Sequence, residues 1–417
     1  MKSAEQKAKN VPAIRFAGFD DEWEKLSFAD VGNICMCKRV FKEETSDKGD
    51  IPFYKIGTFG GIPDAYITKE LYNEYRTKFS YPEKGDILLS AAGTIGRIVE
   101  YDGECAYFQD SNIVWLSHDK SITNKFLKVL YPTLKWGGIE GSTIQRLYND
   151  IFLKTSFFKP TISEQQKIGS FFSNIDSLIS LEQKKYDKLT QVKKSMLEKM
   201  FPKEGATVPE IRFAGFTGDW VIQNLNNICS IITKQTGFDY SETIKPSLFT
   251  DKIDNTYSFI QNKDFEGLNI NLDTDFYIPV KIAEKFPKIT LDQPSLLISI
   301  SGRIGNVGLF SLDTKAFIGG AVGICKLNNV EDGKIALFEL QSPTGQLYFK
   351  SLIKASSHAN ITVEDIRQIV VTIPKEECEK KKINQYFSHL DSLISFQQRK
   401  LEKLKNIKKS LLEKMFV

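Results

Sequence analysis

Residues 171–201 read FFSNIDSLISLEQKKYDKLTQVKKSMLEKMF, and residues 386–416 read YFSHLDSLISFQQRKLEKLKNIKKSLLEKMF. The two stretches are identical at 19 of 31 aligned positions. Apolar residues recur in each at spacings of three and four with charged residues between them, which predicts two long amphipathic helices. A single helix of this kind often only covers its own domain. Two matched copies in one chain instead favour pairing with each other about an approximate two-fold axis.

The heptad pattern predicts which helix faces are buried. One seam row begins at Ile168 and the other at Phe171, each repeating every seven residues, and a further apolar row begins at Phe172. The extra row lets each helix bury one face in the other helix and offer a second face to another protein. The side chains expected at the helix or partner interface are Phe172, Ile175, Leu178, Leu189, Val192, Phe387, Leu390, Leu393, Leu404 and Ile407.

Length and composition indicate a folded chain of two to three domains. The 417 residues are 41% hydrophobic and 12% aromatic, which is enough to build real cores. No run of 18 apolar residues and no N-terminal signal pattern occurs, so we expect a cytoplasmic protein without a membrane span. The six cysteines and three histidines are scattered, which predicts no metal site.

The net charge of +4 is unevenly distributed. The segments 163–207 and 376–417, which hold the helices, carry +2 and +4, whereas 1–162 carries 0 and 208–375 carries −2. A nucleic-acid role would therefore depend on local basic patches or on a partner that supplies further phosphate contacts.

Two shorter repeats accompany the helices. VPAIRFAGFDDEW at 11–23 returns as VPEIRFAGFTGDW at 208–220, and we interpret this apolar motif as a docking or packing element. LLSAAGTIG at 88–96 returns as LISISGRIG at 297–305, which predicts a strand that runs into a tight turn. Neither copy has the Lys-Ser/Thr of a phosphate-binding loop. A plain hairpin turn and a turn that projects binding side chains both remain open for this repeat.

A polar loop precedes each long helix, GSTIQR at 141–146 and SHANIT at 357–362. Gln and Asn can bind adenine edges, Arg can bind guanine, and Ser or Thr can bind bases or phosphates. Surface loops also carry such residues without a function. The loops alone therefore do not decide between DNA recognition and a solvated surface.

The halves share a frame but differ between its motifs, since residues 33–86 and 231–295 do not align. One scaffold with two divergent inserts is typical of a protein whose inserts set specificity. Helical spacing occurs at 123–135 and 334–353, and strand patterns occur at 51–56, 87–90, 113–116, 296–300 and 322–327. The predicted fold is α+β, with two globular bodies (1–162 and 208–375), each followed by a long helix (163–207 and 376–417), the helices pairing as an antiparallel coiled coil.

Motifs for catalysis are missing from the sequence. The chain has no Asn/Asp-Pro-Pro-Tyr/Phe loop of DNA amino-methyltransferases and no GxxxxGK[ST] loop for ATP. Pro63-Asp64 is not followed by the carboxylate-x-Lys pair of a nuclease before the helix. We therefore predict no catalytic residues in this chain.

These motifs together resemble the specificity subunit of type I restriction-modification enzymes. The resemblance covers nearly the whole chain and depends on the duplicated helices, the FAGF openings, the glycine turns and the GST-type loop. It implies two target recognition domains, each reading half of a bipartite double-stranded DNA site, with the helices as a spacer. It also implies two modification subunits and restriction subunits as partners, which would hold S-adenosylmethionine, ATP and Mg²⁺, whereas this chain holds no cofactor.

The DNA-contact hypothesis names residues in both halves. In the second half, His358 and Asn360 stand where the first has Thr143 and Gln145, so the halves should read different sequences. A helix of about 35 to 38 residues spans roughly 50 to 60 Å, beyond one turn of DNA of about 34 Å. The predicted DNA-binding residues are Lys55, Thr94, Arg97, Ser142, Thr143, Gln145, Arg146, Lys263, Arg303, Ser357, His358 and Asn360.

Two rival functions stay open on the sequence. A protein-protein scaffold with no DNA role is favoured by the nearly neutral bodies, although the divergent inserts favour DNA specificity more. A self-contained methyltransferase or nuclease is disfavoured by its missing motifs.

Overall fold

The computed structural model of the chain describes residues 10–136, 146–235, 240–311, 313–352 and 360–417. These residues form two compact units, Met1–Glu182 with Lys400–Val417, and Gln183–Arg399. Each unit is an α+β body, which is the fold class that the sequence predicts, and each includes segments of both long helices. We call them the first and the second unit.

The first unit contains nine strands, three complete helices and the start of a long helix among its described residues up to Glu182, and it also contains the end of the second long helix. They are β1 (Glu24–Ser27), β2 (Gly32–Cys35), β3 (Ile51–Tyr54), β4 (Tyr66–Ile67), α1 (Lys69–Lys78), β5 (Ile87–Ser90), β6 (Ile98–Glu100), β7 (Tyr107–Phe108), β8 (Ile113–His118), α2 (Asn124–Leu130), α3 (Asn149–Lys154), β9 (Ser156–Lys159) and the start of α4 (Ile162–Lys199). The threonines Thr68 and Thr123 cap α1 and α2 by accepting backbone N–H bonds, which explains where these helices begin.

The second unit follows the same plan with additions. Its elements are β10 (Val221–Asn224), α5 (Leu225–Ile228), β11 (Cys229–Lys234), β12 (Thr256–Ile260), β13 (Phe265–Glu266), β14 (Asn269–Ile270), β15 (Tyr277–Pro279), α6 (Val280–Ala283), β16 (Thr290–Leu291), β17 (Ser295–Ser299), β18 (Val307–Phe310), β19 (Ala316–Ile318), β20 (Val322–Leu327), α7 (Val330–Gln341), α8 (Pro343–Leu352), α9 (Val363–Arg367), β21 (Val370–Ile373) and α10 (Glu377–Lys414). The helical spacing predicted over 334–353 is confirmed, but it is divided between two helices. The division occurs because Ser342-Pro343 interrupts the backbone ladder between α7 and α8.

The sheets of the two units have matching strand orders. The first unit orders its main sheet β2-β8-β5-β6 and a smaller sheet β4-β3-β7, with β3 parallel to β7. The second unit orders its sheets β11-β20-β17-β18 and β15-β12-β19-β16, with β12 parallel to β19. The central strands β5 and β20 are buried along their whole length, because each lies between two neighbours and is covered on both faces. The inserts that do not align in sequence therefore share one fold.

The opening motif of each half forms an ion pair with the start of the following long helix, and we call this ion pair the clasp. Arg15 makes a bidentate ion pair with the buried Glu164, with Nε and Nη2 donating over 2.7 and 2.8 Å. Arg212 pairs in the same way with the buried Glu379, over 2.6 and 2.8 Å. Beside the first pair, the ring of Phe16 packs edge-on against Phe171 at 5.4 Å between centroids. The motif has the packing role that the sequence predicted.

Each unit also contains the end of the other long helix. In the first unit, Lys408 bonds Asp176 at 2.5 Å and Lys400 bonds the buried Glu182 at 3.0 Å, so the α10 end runs antiparallel to the α4 start. In the second unit, Lys193 of α4 bonds Asp391 of α10 at 2.6 Å. The helix ends thus complete the core of each unit.

The buried helix row differs from the predicted one. Phe172, Ile175, Leu189, Phe387, Leu390 and Leu404 are buried or half-buried, as expected of an interface. Four predicted interface residues are exposed instead, namely Leu178, Val192, Leu393 and Ile407. The second buried row of the helix starts at Phe172 and not at Phe171. The buried face is therefore rotated about the helix axis by about 100° from the predicted one. This row is the more apolar one, since it holds Ile179, Tyr186 and Met200 where the other holds Leu178, Lys185 and Lys199.

Candidate nucleic-acid interface

A tight turn projects from the main sheet of the first unit between β5 and β6. Ser90 Oγ donates to the carbonyl of Thr94 at 2.6 Å and accepts the backbone N–H of Arg97 at 2.9 Å. Gly93 and Gly96 have φ of 65° and 86°, a backbone conformation that residues with a Cβ rarely adopt. The predicted strand and turn are confirmed, and the turn holds Thr94 at an exposed position.

The guanidinium of Arg97 links this turn to a second loop. Its Nη1 donates to the carbonyl of Phe59 at 2.9 Å, in the segment that follows β3. Arg97 as a whole is exposed, so part of its side chain faces solvent. Its contact with Phe59 makes it a brace between the two loops as well as a candidate DNA contact.

The segment that returns toward α3 lies beside the same turn. Arg146 forms a β-bridge with Ala92, although more than 50 residues separate them in the sequence. Its Nη2 donates to Ser111 Oγ at 2.8 Å and to Asn112 Oδ1 at 3.1 Å. Thr94, Arg97 and Arg146 are therefore neighbours in one loop cluster. The predicted contacts Ser142, Thr143 and Gln145 lie outside the described residues.

Lys55 lies in the loop after β3, at the edge of the same cluster. The next residue, Ile56, donates its backbone N–H to Gln109 Oε1 at 2.9 Å. Lys55 Nζ pairs with Asp64 Oδ1 at 2.9 Å, and both side chains are largely exposed. An exposed pair of this kind contributes about 0–1 kcal/mol, so Lys55 can exchange its carboxylate for a phosphate at little cost.

The second unit builds the same cluster from different side chains. Asn306 takes the place of Arg97 as the brace, since its Nδ2 donates to the carbonyls of Asn262 at 3.0 Å and Phe265 at 2.7 Å. Asn262 Nδ2 in turn donates to the carbonyl of Ser301 at 3.0 Å. Arg303 stands exposed at the tip of this turn, where the first unit has Thr94.

Asn360 occupies the position that Arg146 has in the first unit, so the predicted equivalence of Asn360 with Gln145 is wrong by one residue. It forms a β-bridge with Ser301, and the next residue, Ile361, donates its N–H to the carbonyl of Ile300 at 3.0 Å. Asn360 is exposed and therefore open to a ligand. Ser357 and His358, which the sequence also predicts as contacts, are not among the described residues.

Lys263 lies in the loop after β12 and pairs with Asp275. The hydrogen bond to the Asp275 carboxylate raises the pKa of this lysine. The backbone counterpart of Lys55 is Gln261, because Gln261 N–H bonds Asp264 Oδ2 at 2.9 Å in the way that Lys55 N–H bonds Thr58 Oγ1 at 3.1 Å. Lys55 and Lys263 thus lie in corresponding loops of the two units, but at different positions within those loops.

Sequence reasoning missed several members of the first cluster. Arg39 pairs with Asp110 at 2.8 Å beside Ser111, and no motif marks either residue. Ile62 is 88% exposed at the tip of a Gly-Gly loop, next to Phe59 in the chain. The Gly60-Gly61 pair, which permits a tight approach of this loop to Arg97 and Val99, was the available signal.

Other kinds of site find little support in the described part of the chain. No group of three or more His, Cys, Asp or Glu side chains there could hold a metal ion. No helix among those residues is long and apolar enough to cross a membrane. The loop clusters are the sites that the frame presents in duplicate.

Known proteins share this organisation. Residues 20–191 and 218–406 match the family described as the type I restriction modification DNA specificity domain. The putative MjaX specificity subunit of Methanocaldococcus jannaschii is 24% identical over 437 residues, covering 97% of this chain and 95% of that protein. A putative type I restriction enzyme specificity subunit of Haemophilus influenzae is 54% identical over 160 residues, which span 38% of this chain and 42% of that protein.

Solved structures agree on the fold. The crystal structure of a type I restriction-modification S subunit from M. genitalium matches with a TM-score of 0.58 and 16% identity, covering 98% of this chain and 99% of that one. A structure described as the basis of complex assembly and conformational transition of the type I R-M system matches with a TM-score of 0.53 and 15% identity, covering 96% and 99%. The family match, one stretch in each half, shows that the chain belongs to the DNA specificity subunits of type I restriction-modification systems.

Proposed function

We propose that each unit reads one half of a bipartite double-stranded DNA target through its loop cluster. The carrying observation is that the same loops, from distant parts of the chain, meet in both units but present different side chains. Independent recognition of two half-sites requires a fold that is repeated in both units and loop side chains that differ between them. The family membership supports a DNA specificity role for the chain as a whole.

The chemistry of the clusters suits base edges and phosphates. In the first unit Arg97 and Arg146 offer guanidinium donors, which bind guanine edges or phosphates. In the second unit Asn360 offers an amide, which can bind adenine through one donor and one acceptor. The two half-sites should therefore differ in sequence, and Lys55 and Lys263 are proposed phosphate contacts.

The long helices are proposed to fix the spacing of the half-sites. Each helix has 38 residues, which corresponds to roughly 57 Å at about 1.5 Å per residue. This length exceeds one turn of B-DNA, about 34 Å, and leaves room for an unread spacer.

The exposed helix residues provide a reason for two modification subunits. Leu178, Leu181 and Ile407 are exposed in the first unit, and their repeats Leu393, Phe396 and Val192 are exposed in the second. Exposed apolar rows on helices commonly bind partner helices. We propose that each row binds one modification subunit, because each unit carries its own copy of the row.

Catalysis is proposed to lie on the partners. The sequence has neither a methyltransferase catalytic loop nor an ATP-binding loop. We therefore expect S-adenosylmethionine on the modification subunits, and ATP and Mg²⁺ on restriction subunits. The complex would methylate adenine at N6 and cleave DNA in an ATP-dependent reaction.

The experiment is to co-express the chain with a type I modification subunit and map N6-methyladenine across the host genome. We expect one bipartite motif with a fixed gap, lost when this chain is omitted. A stable complex that leaves no motif would contradict the DNA-reading role and favour the scaffold alternative, which the near-neutral charge of the two bodies supports.

A further inference from the structure

A basic cleft lies beside the glycine turn of the second unit. Its volume is about 780 Å³, and its lining comes from the end of α4, the turn between β17 and β18, and α8. Lys194, Arg303 and Lys350 each contribute a cation from one of these three elements. The cleft is therefore assembled by the tertiary fold and not by a run of basic residues in the sequence.

The three cations have no acidic partner in the part of the chain that the structure describes. Among the described residues, no carboxylate lies within ion-pair distance of Lys194, Arg303 or Lys350, and all three are exposed. The neighbouring Lys193 is different, because it is paired with Asp391 at 2.6 Å. Glu266 is the single acidic residue in the lining. Three cations without an ion-pair partner and one carboxylate leave the lining with a net positive charge, which favours an anionic ligand.

We propose that this cleft binds phosphates of the DNA backbone at the half-site of the second unit. This inference depends on the proposed function. Arg303 lies two residues after Ser301, which bridges Asn360, so the cleft borders the predicted base-reading cluster. Cations from three elements along an open cleft fit an extended polyanion better than a single enclosed ion. Arg303 then contacts the backbone and not a base edge, and α4 contributes to DNA binding as well as to spacing.

The two units differ at this site. The repeat of Lys194 is Lys409, whereas the repeat of Arg303 is Thr94. The second unit therefore has a cation at the turn where the first has a hydroxyl. The first unit has its turn arginine three residues later, since Arg97 stands where the second unit has Asn306. The cleft built from Lys194, Arg303 and Lys350 is therefore a feature of the second unit.

The test uses the full chain assembled with modification subunits, and measures DNA affinity against salt concentration. Each lost phosphate contact should reduce the log-log salt slope by about 0.9, so Lys194→Ala/Arg303→Ala/Lys350→Ala should reduce it by about 2 to 3. The methylated motif should stay unchanged, because phosphate contacts carry no sequence information. Lys188→Ala, an exposed charge loss on the same helix outside the cleft, is the matched control and should leave the slope unchanged.

Several outcomes would overturn the proposal. They are an unchanged slope in the triple variant, or a changed base preference with Arg303→Ala alone. Thermal protection of the wild-type chain by inorganic phosphate, lost in the triple variant without a change in DNA slope, would instead make the cleft a small-anion site. If the triple variant does not fold, Lys194→Gln and Lys350→Gln are measured singly, with a reduction of about 0.9 expected for each. A wild-type complex that does not bind DNA would contradict the proposed function itself. That result is distinct from a failure of the cleft proposal.

Discussion

The two units are built on the same clasp but present different tips. Arg15 with Glu164 and Arg212 with Glu379 have the same bidentate geometry and nearly the same burial. At the turn tips, Thr94 in one unit stands where Arg303 stands in the other, and Arg146 stands where Asn360 stands. Residues that hold the frame are thus retained, and residues that face outward are exchanged. The side chains that hold the fold are therefore different from the side chains that are exposed to a ligand.

The clasps themselves differ in one hydrogen bond. Trp23 Nε1 donates to Glu164 at 3.2 Å, whereas the buried Trp220 Nε1 has no acceptor among the described residues. Arg212 also donates to the carbonyl of Gly218 at 2.7 Å. The carboxylate in the first unit therefore keeps one buried donor even without its arginine.

The largest expected effect comes from breaking a clasp. Arg15→Ala or Arg212→Ala leaves a buried carboxylate without its cation, which should lower the free energy of unfolding by about 3–5 kcal/mol. Arg15→Ala should cost less than Arg212→Ala by roughly 1 kcal/mol, because Trp23 still donates to Glu164. Urea unfolding of the full chain measures both values.

The control for the clasp is Arg367→Ala. Arg367 pairs with Glu364 at 3.5 Å on the surface, and an exposed pair should cost only about 0–1 kcal/mol. Equal losses for all three arginine variants would show that the buried clasps do not hold the frame.

The next effect tests whether the exposed helix rows are equivalent. Leu181 and Phe396 are repeats of each other and are 50% and 60% exposed. Leu181→Asp and Phe396→Asp should each weaken the binding of one modification subunit by about 2 kcal/mol, which is a roughly thirtyfold loss of affinity. Mass measurement of the assembled complex should then show one bound subunit for each single variant and none for the double variant.

Lys405→Asp, an exposed change nine residues after Phe396 and therefore on the opposite side of α10, should leave two subunits bound. If the aspartate variants also retained two subunits at wild-type affinity, the exposed rows would not be the docking surfaces.

The smallest effect concerns a carboxylate of the second unit. Burial raises the pKa of Glu339 from its ordinary value of 4.5 to about 7, against the opposing hydrogen bond from the Thr372 N–H at 2.6 Å. The folded state therefore binds this proton more tightly than the unfolded state. The stability that it contributes is complete below the unfolded pKa and is lost as the pH rises through about 7.

Glu339→Gln keeps the neutral shape and removes this pH dependence. The variant should be more stable than the wild type at pH 8, by about 1–3 kcal/mol, and the difference should shrink toward pH 5. Unfolding at both pH values measures the change, with the exposed Glu284→Gln as a control that should show no such difference. An equal difference at pH 5 and pH 8 would contradict the assignment to Glu339.

The frame was predictable because its signals are local and repeated. The heptad pattern predicts both long helices, and the G-x-x-G pattern predicts both turns. The wrong seam row could have been avoided from the sequence, because the row beginning at Phe172 is more apolar than the row beginning at Phe171. The clasp was missed because 149 residues separate Arg15 from Glu164. The repetition of that glutamate as Glu379 was the available signal.

The loop clusters were less predictable because they depend on tertiary contacts. The bond from Ile56 to Gln109 and the bond from Arg97 to Phe59 join segments 53 and 38 residues apart. No short motif encodes such a pairing. The basic cleft has the same origin, since its three cations come from separate elements.

Half-site mapping with one altered loop at a time tests the central claim most directly. The chain is co-expressed with its modification subunit as wild type, Arg146→Ala or Asn360→Ala, and the N6-methyladenine motif of each is determined. We expect Arg146→Ala to relax one half of the bipartite motif and Asn360→Ala to relax only the other, each by about 1–3 kcal/mol of discrimination. Both halves changing together, or neither changing in either variant, would contradict the claim that each unit reads its own half-site.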